Sequence, residues 1–189
     1  FDNGVDRDAL ALLLRFDYIA APHCIHVSCF KLQPGTFLRL DAAAVAAGAG
    51  SHDPMRDQQR YWDPRARMTA AIAQGFDGDA DEATGRLESL LREAVADRMV
   101  ADVPVGVFLS GGTDSSLVTA LMQVQSAQPV RTFTIGCSGS NFDEAPLAKE
   151  VATHLGTDHN ELYVSGADAL AVVPMLPGMF DEPFADSSQ

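Results

Sequence analysis

Residues 103–122 limit the possible folds of this chain more than any other stretch. The apolar run 103–109 is short, rich in β-branched residues and without clear alternation, so it reads as a strand buried on both faces of a parallel sheet. It breaks at Ser110-Gly111-Gly112, where adjacent glycines permit a tight turn and a close approach of backbone to a ligand. Asp114 or Ser115 can then cap a helix whose apolar face carries Leu117, Val118, Leu121 and Met122. A strand, a glycine turn and a helix N-terminus together concentrate free N–H groups and the positive end of a helix dipole at one spot, which makes an anion site. The loop lacks the lysine of a Walker A sequence, and its glycines are adjacent instead of spaced as in a dinucleotide fingerprint. Hydroxyls, a carboxylate and two glycines crowd residues 110–116 beyond what capping one helix requires. A carboxylate beside a phosphate needs a cation between them, and Asp114 is therefore the first metal candidate.

Composition excludes several partner classes. The formal charge is −13, from 26 acidic and 13 basic residues without a basic cluster, which argues against a nucleic-acid partner. Cys24, Cys29 and Cys137 form no Cys-x-x-Cys pair, a usage that fits reduced thiols in a cytoplasmic protein. No run of 18 apolar residues suggests a membrane span. The chain opens on Phe1 and not on methionine, and it reads as the middle of a longer one.

Periodicity predicts a helix over 6–19 capped by Asp6 and stopped by Pro22, then a hairpin with arms 26–32 and 36–40 about Gln33-Pro34-Gly35. His23, Cys24, His26 and Cys29 are irregularly spaced and read as packing residues in preference to zinc ligands. Between 42 and 81 the pattern dissolves, apart from an aromatic island at Tyr61-Trp62-Asp63-Pro64. A helix opens at Asp81 or Thr84 with the stripe Leu87, Leu90, Leu91, Ala94, Val95 and Met99. A second buried strand at 130–136 follows, then a loop at 137–141, a helix with Asp143 and Glu144 at its start and Gly156 at its end, and a third strand at 159–164. His154 and His159 read as cap or strand-edge residues. Strands alternating with helices predict an α/β fold around a parallel sheet, with ligands at the carboxyl ends of its strands. A second polar cluster, Asp181, Glu182, Asp186, Ser187 and Ser188, closes the sequence.

The run Ser110-Gly111-Gly112-Thr113-Asp114-Ser115-Ser116 resembles the PP-loop of N-type ATP pyrophosphatases, and its context from Asp102 onward is similar to the synthetase domain of glutamine-hydrolysing asparagine synthetases. Thr113 departs from the aliphatic residue usual at that position. Three further stretches are similar to elements of the same family: 30–38 resembles the hairpin that closes its glutaminase domain, 142–159 resembles a segment of the bacterial enzymes, and 180–188 resembles the Asp-Glu-Pro-x-x-Asp-Ser-Ser element. The resemblance implies a parallel-sheet PP-loop ATP pyrophosphatase domain, of the adenine nucleotide α-hydrolase-like type, at 81–189. It implies the C-terminal edge of an N-terminal-nucleophile glutaminase domain, a helix plus β-hairpin, at 1–63, with a linker at 64–80. It further implies that Ser110, Gly111, Gly112, Ser115 and Ser116 grip pyrophosphate, that Asp114 holds Mg²⁺, and that Leu109, Ile135 and Gly136 adjoin adenine. ATP and Mg²⁺ are the implied cofactors, aspartate and glutamine-derived ammonia the implied partners, and the full-length protein a homodimer in the cytoplasm. The family's cysteine nucleophile has no counterpart at Phe1, and its second acidic element and catalytic lysine are expected beyond Gln189, so the chain alone is not expected to make asparagine. Rival readings are a β-lactam-synthetase-like or other PP-loop amidotransferase and a non-catalytic ATP-binding module.

Overall fold

The computed structural model describes residues 4–48, 55–137, 143–183 and 185, and the chain divides into two units, one of Phe1–Gly75 with Met175–Gln189 and one of Phe76–Pro174. In the first unit, helix α1 (Arg7–Phe16) starts where Asp6 accepts the N–H groups of Asp8 and Ala9. It stops at Asp17, whose backbone is left-handed at φ 63° and whose N–H returns to the Leu13 carbonyl, before Pro22 is reached. Ala9, Ile19 and Ile25 form a small core under this helix, with Leu13 and Cys24 against it.

The expected hairpin pairs differently. Strand β1 (Thr36–Phe37) runs antiparallel to β2 (Gln59–Arg60), not to residues 26–32. The reason lies at Gly35, whose carbonyl accepts both Tyr61 and Trp62 N–H groups, and at Gln58, whose side chain accepts Gln33 N–H and the Thr36 hydroxyl. At φ 73°, with a Cβ that would stand 2.1 Å from the Trp62 carbonyl oxygen, position 35 admits only glycine. Residues 26–32 instead lie irregularly, with Val27 N–H on the Gly4 carbonyl and Lys31 N–H on the Pro22 carbonyl.

Two helices form between 42 and 81, where the pattern carries no apolar face. They are α2 (Ala42–Ala47), capped by Asp41, and α3 (Pro64–Gln74), capped by Asp63 with proline in its first turn. Their signals are local, a cap and a first-turn proline, and not periodic.

The second unit opens with α4 (Ala80–Arg98), whose Asp79 and Glu82 form a reciprocal capping box two residues before the expected start. Parallel strands β3 (Gly106–Phe108), β4 (Arg131–Cys137) and β5 (Asp158–Val164) lie side by side in that order. Helix α5 (Thr113–Gln125) joins the first pair and α6 (Ala145–Leu155), ended by left-handed Gly156, joins the second; α7 (Gly166–Val172) follows. Val95, Leu121, Met122 and Val130 form the main core, with Leu91, Met99, Val105 and Val107 packed on it. Each such side chain contributes about 1.5–3 kcal/mol when fully buried. A second cluster joins Leu109 to Ala148 and Ala152 of α6.

The strands are not buried on both faces. In β4 burial alternates strictly, with Thr132, Thr134 and Gly136 inward and Phe133 and Ile135 outward, while Phe108 in β3 is 77% exposed. Threonine can hold the inward positions because each hydroxyl has a partner: Thr132 meets Thr157 and His159, and Thr134 donates to the Leu109 carbonyl. Leu87 and Leu90 of the α4 stripe are likewise exposed. The chain then passes through a 3-10 turn (Val173–Met175) to α8 (Leu176–Met179), which belongs with the first unit. Among the described residues no helix is long and apolar enough to cross a membrane.

Candidate functional site

The loop leaves β3 at Leu109, which is 2% exposed and fixed at both backbone groups: its N–H donates to the Phe133 carbonyl and its carbonyl accepts the Thr134 hydroxyl. The loop therefore starts from a rigid point. Gly111 turns it at φ 79° and presses it onto the first turns of α6, so that a Cβ there would meet Ala148 N and Leu147 Cγ at 2.8 Å. Gly112 is open by comparison, with only Ser110 Oγ at 3.3 Å.

The hydroxyls of Ser110 and Ser115 hold the turn. Ser110 N–H donates to Ser115 Oγ at 3.2 Å, the two Oγ atoms lie 2.9 Å apart, Gly112 N–H donates to Ser110 Oγ at 3.2 Å, and Ser115 Oγ donates to the Gly112 carbonyl. The cap of α5 is Gly112 and not Asp114 or Ser115, which fall inside the first turn. Gly112 has no side chain to accept, so no side chain caps the helix, and the first intrahelical bond runs from Ser116 N–H to the Gly112 carbonyl. The N–H groups of Thr113, Asp114 and Ser115 therefore point out of an uncapped helix end, the arrangement an anion satisfies. Ser116 Oγ is buried without a hydrogen-bond partner among the described residues. It lines an apolar groove between α5 and α6 with Leu117, Leu147 and His154.

Asp114 is exposed in this first turn, beside those N–H groups. Among the described residues no group of three or more His, Cys, Asp or Glu side chains could hold a metal ion. One carboxylate plus phosphate oxygens suits Mg²⁺, which is commonly bound through one or two carboxylates and its substrate's phosphates.

At the carboxyl end of β4, Ile135 lies 57% exposed on the face away from the helices, and Gly136 faces them. Gly136 has no room for a side chain because the Tyr163 ring of β5 fills that space, with a hypothetical Cβ only 2.5 Å from Tyr163 Cε1. Asp143 accepts the Cys137 and Ala145 N–H groups, tying the end of β4 to the start of α6. Tyr163 donates its hydroxyl to Glu161 at 3.0 Å, and Lys149 Nζ lies 3.0 Å from the other oxygen of that carboxylate. The bond to Lys149 and then that to Tyr163 hold the Glu161 carboxyl below its ordinary range, and the same carboxylate raises Lys149 and Tyr163. His159, placed at the strand edge from sequence, is inside this sheet face with Nδ1 on Thr132 Oγ1 at 2.9 Å. Tyr163, Thr134 and the supporting row on β5 escape a reading of the strands as uniformly buried; the alternation Thr132-Phe133-Thr134-Ile135 is the signal that locates them.

Of the closing polar cluster, Asp186, Ser187 and Ser188 lie outside the described residues, as do residues 138–142, which include all of the expected loop at 137–141 except Cys137. Glu182 is described and engaged: its carboxylate pairs with the Lys31 ammonium and accepts Ile25 N–H at 3.4 Å. Both contacts belong to the first unit.

The second unit is a parallel three-stranded α/β unit whose glycine turn leads into an uncapped helix end, an arrangement suited to receiving an anion. The family model described as asparagine synthase matches residues 86–189, and the chain belongs to that family. Relatives from Methanocaldococcus jannaschii and Mycobacterium bovis, both bearing glutamine-hydrolysing asparagine synthetase names, are 30% and 32% identical over 186 residues, or 98% of this chain. A Bacillus subtilis relative, glutamine-hydrolysing asparagine synthetase 1, is 24% identical over the same share. The chain spans 33%, 26% and 26% of these relatives' lengths, respectively.

Proposed function

We propose that the chain is part of a ligase that forms an amide on the side-chain carboxylate of aspartate with ammonia drawn from glutamine, consuming ATP. The carrying observation is the loop: three outward N–H groups at an uncapped helix end, in a turn braced by two serine hydroxyls and backed by α6. Family membership supports the choice of reaction.

A carboxylate resists attack by ammonia and must first be activated. In the proposed reaction it attacks the α-phosphorus of ATP, pyrophosphate leaves, and ammonia then displaces AMP from the β-aspartyl adenylate. The chain's share of this work is electrostatic. The N–H groups of the 110–116 loop with the Ser110 and Ser115 hydroxyls hold the departing pyrophosphate, Asp114 would hold Mg²⁺ there, and Ile135, exposed at the end of β4, borders the adenine, while the Ser116 hydroxyl, Leu109 and Gly136 are buried behind these contacts. Charge that develops on the leaving group meets donors already fixed in place, so little reorganisation is needed. The family likeness assigns residues 81–189 to the nucleotide-handling part, residues 1–63 to the edge of a glutaminase-type domain and residues 64–80 to the connection, although α3 (Pro64–Gln74) and residues 175–189 fall in the first compact unit. The chain spans about a third or less of its relatives' lengths, and by itself it does not complete the reaction.

The test is aspartate-dependent release of pyrophosphate from ATP, measured on the native gene product that carries this chain and on residues 1–189 alone. Release by the native product with aspartate, and none with other carboxylic acids, supports the reading. Turnover with another acid but not with aspartate refutes the substrate, and release by residues 1–189 alone refutes the incompleteness.

A further inference from the structure

Two motifs take no part in the loop chemistry, Phe30-Lys31-Leu32-Gln33-Pro34-Gly35 and Asp181-Glu182-Pro183, and the structure joins them. Glu182 is 157 positions from Ile25 in sequence, yet one carboxylate oxygen accepts the Ile25 N–H and the other meets the Lys31 ammonium. Lys31 donates to the Ile19 carbonyl as well, and Ala185 N–H donates to the Asp17 carbonyl at 2.7 Å. The pair is largely sheltered, its side chains 31% and 21% exposed. Phe180, Pro183 and Leu176 close an apolar wall over Ile25 around a cavity of about 470 Å³. Both oxygens of Glu182 are thus committed to the protein, which removes it from the acidic groups available to a ligand.

The chain leaves the first unit after Gly75 and rejoins it at Met175. We infer that the Lys31–Glu182 pair is an electrostatic strap that locks this return, so that residues 76–174 form a loop tied to the first unit at both ends instead of at one. The inference goes beyond the proposed reaction and does not depend on it. A charge-assisted pair of this kind is stronger than a neutral contact, and removing one partner strands the other. Closing the second end also removes chain freedom that a single tether would leave.

Amide hydrogen exchange on the whole chain tests the strap without any activity. Lys31→Met and Glu182→Gln are each expected to speed exchange at Ile25 and Ala185 by about 5- to 30-fold, the factor that 1–2 kcal/mol of local stability represents. Exchange along β4 stays unchanged. The double variant exceeds the worse single by less than the product of the two, because one shared interaction is lost. In 1 M salt the wild type moves toward the double variant, which itself changes little. Unchanged exchange in both singles overturns the strap. So does a rise that spreads equally to β4, which would mean a general loss of packing, and so does a double variant equal to the product of the singles.

Discussion

Gly111→Ala offers the sharpest test of how the loop is built. Its φ of 79° costs a residue with a side chain about 1–2 kcal/mol. The added methyl would also stand 2.8 Å from Ala148 N and 2.9 Å from the Leu147 carbonyl carbon, both backbone atoms of a packed helix that cannot swing aside. Overpacking of this kind costs about 1–3 kcal/mol, for a total of about 2–5 kcal/mol. For a unit of about 100 residues each kcal/mol shifts the melting temperature by roughly 4–8 °C, so a fall of at least about 8 °C is expected by calorimetry or circular dichroism. Gly112→Ala is the control. Its φ is −68° and its methyl meets only Ser110 Oγ at 3.3 Å, a side-chain atom that can move, so its cost is about 1 kcal/mol or less. If the two variants melt together, the loop is not pressed on α6 as described.

Asp114→Asn should cost at most about 1 kcal/mol of stability, since the exposed side chain loses only its charge at the helix end, while the Mg²⁺ concentration that half-saturates ATP binding in a titration rises about tenfold; equal Mg²⁺ dependence would remove Asp114 as a ligand. Leu109→Ala should destabilise by about 2–5 kcal/mol in denaturant titration, because the side chain is 2% exposed against Ala148 and Ala152, and a loss under 1 kcal/mol would contradict that packing. Glu161 is depressed by Lys149 and Tyr163, so its stabilising share is complete above its ordinary value of 4.5 and is lost as pH falls through the lower folded value. Lys149 is raised, so its share is complete below 10.5 and is lost as pH rises through the higher folded value. The gap in melting temperature between wild type and Glu161→Gln should therefore be widest near neutrality and close as pH falls below the ordinary carboxylate range; a constant gap would refute the pairing.

The parts legible in the sequence are those where local chemistry and tertiary structure agree. Asp6 starts α1 and Gly156 ends α6 because a cap needs nothing beyond its own neighbours. The three parallel strands are legible because each is followed by a turn and an amphipathic segment. The hairpin fails because the choice between 26–32 and 59–60 as partner of Thr36–Phe37 is made by the Gly35 carbonyl and Gln58, contacts over more than twenty residues that no window contains. The α5 cap fails for a related reason. Either acid or hydroxyl could have capped the helix, but the turn uses Ser115 to hold Ser110 and leaves Gly112 at the cap. Capping chemistry alone would favour Asp or Ser there, and glycine leaves the helix end unsatisfied. The loop departs from local capping preference at the point where the proposed function has it receive a phosphate.

The contact of Gly136 with Tyr163 has a consequence for which sequences this fold can accept. The aromatic ring occupies the volume that any side chain at 136 would need, down to a methyl group. The two positions are therefore coupled: alanine or serine at 136 needs the half-exposed Tyr163 ring to swing aside or a smaller residue at 163, and either change disturbs the hydroxyl that Glu161 accepts. A change at position 136 thus reaches through Tyr163 and Glu161 to Lys149 on the helix behind the sheet.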